Sequence, residues 1–135
     1  MSTTLEDEQL ATGRPLTGRR AVVSGAATGI GAAAVAAFLD AGADVVGLLP
    51  HTPPPDELKG RCDCLSCDAR HRASVATAFE SATTILGGLD ILPSASGGWQ
   101  PSSPETLTED EFDFVLDTNL RTTVLTHWPD RDRAI

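Results

Sequence analysis

The residues best suited to chemistry in this chain lie in one stretch, Ser24-Gly25-Ala26-Ala27-Thr28-Gly29-Ile30-Gly31, whose glycines are spaced G-x-x-x-G-x-G. Glycine reaches left-handed backbone conformations and allows close approach by other groups, because it carries no Cβ. An apolar run, Ala21-Val22-Val23, precedes the stretch, and an alanine-rich run ending near Asp40 follows it. A glycine turn between a strand and a helix N-terminus presents unpaired N–H groups and the positive end of a helix dipole. Both suit a pyrophosphate. Gly25 is then expected to permit the tight turn, Gly29 to let the backbone approach phosphate, and Gly31 to let helix and strand pack closely. Ala27, Thr28 and Ile30 complete the cradle.

Other reactive side chains are fewer. Cys62, Cys64, Cys67 and His71 form a C-x-C-x-x-C-x-x-x-H run with zinc-like spacing. On a strand, alternation puts Cys62 and Cys64 on one face and Cys67 on the other, which opposes tetrahedral ligation. The expectation is therefore no metal and three reduced, partly buried thiols. Ser94 and Ser96 have no evident activating base. His127 stands near a helix end, where a histidine serves more simply as a charge partner for the helix terminus.

The elements that position these groups follow from periodicity. Strands are expected at Arg20–Ser24, Asp44–Leu49, Arg61–Cys67 and Leu89–Leu92. Helices are expected over Gly29–Ala41, stopped by Gly42, and over Arg70–Leu86, with an apolar stripe of Val75, Ala78, Phe79, Ala82, Ile85 and Leu86. A third helix opens at Thr108, with Glu111 completing a capping box, and carries Phe112, Val115, Leu116, Leu120 and Val124. Pro53-Pro54-Pro55 makes the segment from His51 to Lys59 a stiff loop. Alternating strands and helices imply an α/β fold with a parallel sheet. The domain is expected over residues 18–128, after a flexible lead-in (1–17) and before a charged tail (129–135).

The glycine loop resembles the T-G-x-x-x-G-I-G motif of short-chain dehydrogenases/reductases, with Ser24 at the Thr position. The resemblance implies a partial doubly wound, Rossmann-type sheet of strand order 3-2-1-4, and NAD or NADP as cofactor. It also implies a parent reaction of hydride transfer between an alcohol and a ketone. Cys67-Asp68-Ala69 is similar to the family site where an Asp contacts the adenine amino group; equally, Asp68 or Ser74 could cap the following helix. Leu89-Asp90-Ile91-Leu92 matches the start of the family's L-D-I-L-V-N-N-A-G block, but Pro93-Ser94-Ala95-Ser96-Gly97 departs from the rest of it. Ser96 and Gly97 would still stand at the cofactor wall. Asn119, within Asp117-Thr118-Asn119-Leu120-Arg121, matches the family Asn that kinks its helix and holds a water of the proton relay. It is the only catalytic position of the family that the chain retains.

The resemblance covers only the N-terminal half of a family member, so a truncated or split enzyme is expected. The catalytic Ser and the Tyr-x-x-x-Lys segment are missing: the chain contains no tyrosine, and its sole lysine is Lys59. Without a positioned general acid, hydride transfer loses about 10²–10⁴-fold. After the second strand, Leu49, Pro50 and His51 supply neither the acid expected for a ribose 2′-OH nor an Arg for a 2′-phosphate. His51 is a weak candidate, and NAD versus NADP stays open. A net charge of −9 argues against nucleic acid, and no apolar run is long enough to span a bilayer. The polar start, Met1 to Leu10, lacks signal-peptide character, and the expected location is cytoplasmic. Beyond the dinucleotide, the expected associations are through the exposed fourth-strand edge or with a complementary chain. The alternative is a non-catalytic nucleotide-binding or interaction module.

Overall fold

The computed structural model describes residues 13–50 and 53–127. Three parallel strands, β1 (Arg20–Ser24), β2 (Asp44–Leu49) and β3 (Asp63–Ser66), form a sheet with β2 in the middle. Val22 stands opposite Val46, and Gly47 opposite Cys64. Helix α1 (Gly29–Asp40) links β1 to β2, and helix α2 (Arg72–Leu86) follows β3. Pleating sends alternate side chains to opposite faces. Ala21, Val23, Val45 and Leu49 therefore pack with Val35 of α1, whereas Val22, Val46 and Leu48 pack with Val75, Ala78, Phe79 and Ala82 of α2. A sheet buried on both faces needs apolar residues at successive positions, which explains the unbroken run in β2.

Several boundaries differ from expectation. Strand β3 is shorter than Arg61–Cys67, and Cys62 lies in a bend before it. The segment after the three prolines is not all loop: Asp56–Leu58 forms a 3₁₀ turn that buries Leu58 in the core on the α1 side. Gly13–Thr17, assigned to the lead-in, is turned and held, because the Leu16 N–H donates to Ala41 O at 2.9 Å. Residues 1–12, His51 and the tail 129–135 lie outside the described residues.

Of the expected order 3-2-1-4, the sheet carries 3-2-1, and the fourth strand is not formed among the described residues. Leu89–Leu92 does not form a fourth strand; residues 91 and 94 make only isolated parallel bridges to Ala21 and Ser24. The segment runs beside β1, with Val22 N–H donating to Ile91 O and Ser24 N–H to Pro93 O at 3.0 and 3.1 Å. In return, Ile91 N–H and Ala95 N–H donate to Arg20 O and Ser24 O. The rung midway between those two belongs to residue 93, and proline has no N–H to make it. Arg20 and Asp90 clamp the same edge: Nε and Nη2 of Arg20 donate to the two carboxylate oxygens at 2.9 and 3.0 Å.

The last helical region begins as expected. Thr108 Oγ1 accepts the Glu111 N–H at 3.3 Å, and Glu111 Oε2 accepts the Thr108 N–H at 2.9 Å, capping helix α3 (Glu109–Leu116). The helix then widens into a π-helical turn, Asp117–Arg121, before α4 (Thr122–His127). Its apolar stripe is not buried: Phe112, Leu116, Leu120 and Val124 are exposed. Ile85 of α2, also expected in a core stripe, is 48% exposed.

Candidate functional site

At the C-terminal ends of the strands lies a cleft of about 230 Å³. Ser24, Gly25, Ala27 and Thr28 line it from the glycine loop, and Leu48 and Pro50 from the end of β2. The segment after β3 contributes Cys67, Asp68, Ala69 and Arg70; the far walls are Ala95, Ser96 and Gly97, with Thr118 and Thr122. Open α/β sheets present their ligand crevice at this end.

The loop is shaped by what its glycines exclude. Gly25 has φ +75°, and a Cβ there would stand 2.5 Å from the backbone of Ala95 and Ser96. At Gly31 a Cβ would stand 1.9 Å from Gly25 O, so the first turn of α1 is pressed against the loop itself. Gly29 is different: its φ is +55°, yet nothing lies within 4 Å of where a Cβ would be. Two glycines are thus required by the fold, and the third leaves open space beside the helix start. Thr28 caps α1 without a side-chain hydrogen bond, and no charged residue occupies the first turn. The first-turn amides keep their capacity for an external acceptor. The loop is anchored by Gly25 and Ala26 N–H groups, which both donate to Leu48 O at 3.1 Å.

Of the residues expected to bind a cofactor, Gly25, Ala27, Thr28, Asp68, Ala69, Ser96 and Gly97 line this one cleft. Gly29, Ile30, Gly31 and Asn119 are not in its lining, and Ile30 is 83% exposed. Ser96 is tied to the loop by a 2.6 Å hydroxyl–hydroxyl hydrogen bond with Ser24. Neither Asp68 nor Ser74 caps α2 through its side chain: the N-cap is His71, and Ser74 Oγ instead accepts the Asp68 N–H. The Asp68 carboxylate is engaged by Arg70 and His71. Arg70 holds its carboxyl well below the usual carboxylate range, chiefly through side-chain hydrogen bonds.

Asn119 sits in the π-helical turn, where its Nδ2 donates to Gly98 O at 2.7 Å and Val115 O at 2.8 Å. A Cβ on Gly97 would stand 2.7 Å from Asn119 Oδ1. Asn119 therefore ties the wall at Gly97–Gly98 to the widened turn. His127 Nδ1 faces Thr123 O of its own helix at 3.0 Å, away from the cleft lining. Cys62 and Cys64 have sulfurs 4.0 Å apart and pack on the α1 side, whereas Cys67 is buried on the α2 side. Among the described residues no three metal-ligating side chains converge. Sequence reasoning did not assign Arg70, Thr118 or Thr122 to the site. The last two are 21 and 25 residues beyond Gly97 of the opposite wall, in a helical region whose spacing offers no local signal.

Comparison with known proteins agrees with this geometry. Residues 19–128 match the short chain dehydrogenase family. Oxidoreductase UcpA of Escherichia coli is 35% identical over 113 residues, covering 78% of this chain and 43% of the relative. D-threitol dehydrogenase of Mycolicibacterium smegmatis is 31% identical over 117 residues, covering 82% and 45%. Among solved structures, a dehydrogenase/reductase from Sinorhizobium meliloti superposes with TM-score 0.75 at 27% identity, over 88% of this chain and 50% of that one. A short chain dehydrogenase from Burkholderia cenocepacia in complex with NADP gives 0.70 at 27% identity, over 83% and 49%. The chain spans about half the length, or less, of the relatives it matches. Sequence, fold and the position of the cleft lead to one assignment: this chain belongs to the short-chain dehydrogenase family.

Proposed function

We propose that these residues form the NAD(P)-binding half of a short-chain dehydrogenase-like oxidoreductase and bind the dinucleotide without turning over substrate by themselves. The carrying observation is the contrast within the loop: Gly25 and Gly31 have no room for a Cβ, while Gly29 borders open space. That space beside an uncapped helix start fits a pyrophosphate. Gly25, Ala27 and Thr28 would hold it, with Asp68 and Ala69 toward the adenosine end and Ser96 and Gly97 along the opposite wall. When bound, the dinucleotide supplies the hydride carrier. Asn119 orients the Gly97–Gly98 wall through its bond to Gly98 O. In this reading its family role of holding a water has no partner, since the 135 residues contain no tyrosine. The proposal includes a cytoplasmic location, which rests on sequence composition alone.

Isothermal titration of the chain with NAD(H) and NADP(H), beside a Gly29→Asp variant, tests the binding half. Binding that the variant abolishes supports the reading; binding unchanged by the variant, or none by a folded chain, refutes it. Turnover with a panel of alcohols and ketones tests the other half, and measurable activity would overturn the predicted inactivity. A second reading, an interaction module or a half completed by another chain, is favoured by the exposed Phe112, Leu116, Leu120 and Val124. The edge at residues 91–94 offers a further surface for association. Oligomer size measured by sedimentation, with and without nucleotide, separates the two.

A further inference from the structure

We propose that Cys62 and Cys64 form a two-coordinate site for a soft monovalent cation, copper(I), apart from the nucleotide cleft. Their sulfurs lie 4.0 Å apart. Neither is among the described residues lining the cleft, where the only cysteine is Cys67. Residues two apart on an extended strand are separated by about 6.4–6.8 Å. Sulfurs closer than that have converged, and the bend at Cys62, just ahead of β3, is where the chain departs from a regular strand. Both thiols are half-buried, and β3 is an outer strand of the sheet, so an ion reaches them from solvent. Gly47 of β2 stands opposite Cys64, and a Cβ there would be 3.6 Å from its sulfur. The middle strand thus places no side chain at that rung.

The number of ligands selects the ion. Thiolate is a soft ligand that favours copper(I) and zinc over hard cations such as magnesium and calcium. Zinc completes a tetrahedron of four ligands. Among the described residues no three His, Cys, Asp or Glu side chains converge on one point. Cys67 packs on the opposite face of the sheet, and His71 caps α2. A tetrahedral ion would be left half-coordinated, whereas two thiolates suffice for a closed-shell monovalent ion. The distance fits as well. With metal–sulfur bonds of about 2.3 Å, sulfurs 4.0 Å apart subtend an angle of about 120° at the ion, and a further spread of about 0.6 Å makes the arrangement linear. Binding is balanced without an oxidant: each S–H gives up its proton to water, two copper–sulfur bonds form, and no electron is transferred. A chain of net charge −9 also attracts a cation more readily than an anion.

The test is an anaerobic titration of the whole chain, kept reduced with ascorbate, against copper(I) supplied as its bicinchoninate complex and read as loss of the chelator's colour. The wild type should withdraw one copper per chain. Cys62→Ser and Cys64→Ser should each weaken uptake by at least about 100-fold, and Cys67→Ser should leave it within about threefold. Circular dichroism checks the fold of each variant. X-ray absorption of the copper-loaded wild type, which needs no variant, should show two sulfur neighbours. Copper left entirely with the chelator, uptake retained in Cys62→Ser or Cys64→Ser, equal losses in all three variants, or three or more sulfur neighbours overturns the assignment. A loss of two mass units without bound copper, the mark of a disulfide, overturns it too.

Discussion

Gly25 and Gly29 are both left-handed glycines of one loop, and replacing each by alanine should have opposite consequences. At either position an alanine is forced into left-handed backbone, at a cost of about 1–2 kcal/mol. At Gly29 that is the whole cost, because a Cβ there meets nothing within 4 Å. At Gly25 the Cβ would lie 2.5 Å from Ala95 C and Ser96 N, which are backbone atoms and cannot rotate away. Overpacking of that kind adds about 1–3 kcal/mol. Gly25→Ala should therefore lose about 2–5 kcal/mol, a large part of the roughly 5–15 kcal/mol that a domain has. Urea unfolding followed by circular dichroism measures both variants, and calorimetry with NAD(P) reads binding in parallel. Gly29→Ala should lose only that backbone cost of about 1–2 kcal/mol yet bind weakly, since its Cβ fills the space left for phosphate. Gly25→Ala within about 1 kcal/mol of wild type, or Gly29→Ala as destabilised as Gly25→Ala, would refute the division between folding and ligand glycines.

Three other perturbations have determined signs. Arg20 lowers the Asp90 carboxyl to about 2, chiefly by side-chain hydrogen bonds. A depressed carboxyl stabilises the fold above its unfolded value of about 4, and this contribution is lost as pH falls toward about 2. Asp90→Asn should flatten that part of an acid-unfolding curve, and an unchanged slope between those pH values would count against the clamp. Pro93→Val supplies the missing N–H opposite Val22 and should raise stability by about 0.5–1.5 kcal/mol in thermal melts; a lower melting temperature would contradict the account of the interrupted edge. Burial, followed by the proximity of Cys64, pushes the Cys62 thiol up to about 12. Iodoacetamide at pH 8 should then label Cys62 in the folded chain far more slowly than free cysteine, read by peptide mass spectrometry. Labelling at the free-thiol rate would show that the thiol is not buried as described.

Much of this architecture is legible locally. The limits of β1 and β2, the run of α1 to its Gly42 stop, and the Thr108–Glu111 capping box agree with the structure because each depends on residues within a few positions of one another. Cys62 and Cys64 do pack apart from Cys67 as expected, although only Cys64 lies within β3, so strand pleating alone does not account for it. The failures involve longer range. Leu89–Leu92 has a strand-like pattern, but whether it joins the sheet depends on a ladder with β1, some 70 residues away, and Pro93 breaks that ladder. The stripe of α3 and α4 is apolar by period, yet periodicity shows a face without showing what covers it. Asp68 is a local exception: its sequence context suits an adenine contact or a cap, but the conformation of the turn after β3 decides that Arg70, two positions on, takes its carboxylate.

The sequence by itself determined the family, the parallel α/β fold and the glycine loop, because a strand, a turn and a helix start must be adjacent in the chain to cradle a phosphate. Tertiary structure decided which glycine is needed for folding and which faces open space, since the atoms that exclude a Cβ at Gly25 come from Ala95 and Ser96. It also decided the charge of the cleft. The residues after β2 carry neither an acid nor an arginine that could recognise a ribose, and the parallel pairing of β2 with β3 brings Arg70 to the cleft from a different turn. Side chains twenty residues apart share a site only when a crossover returns the chain to the same end of the sheet, and no local pattern records that return.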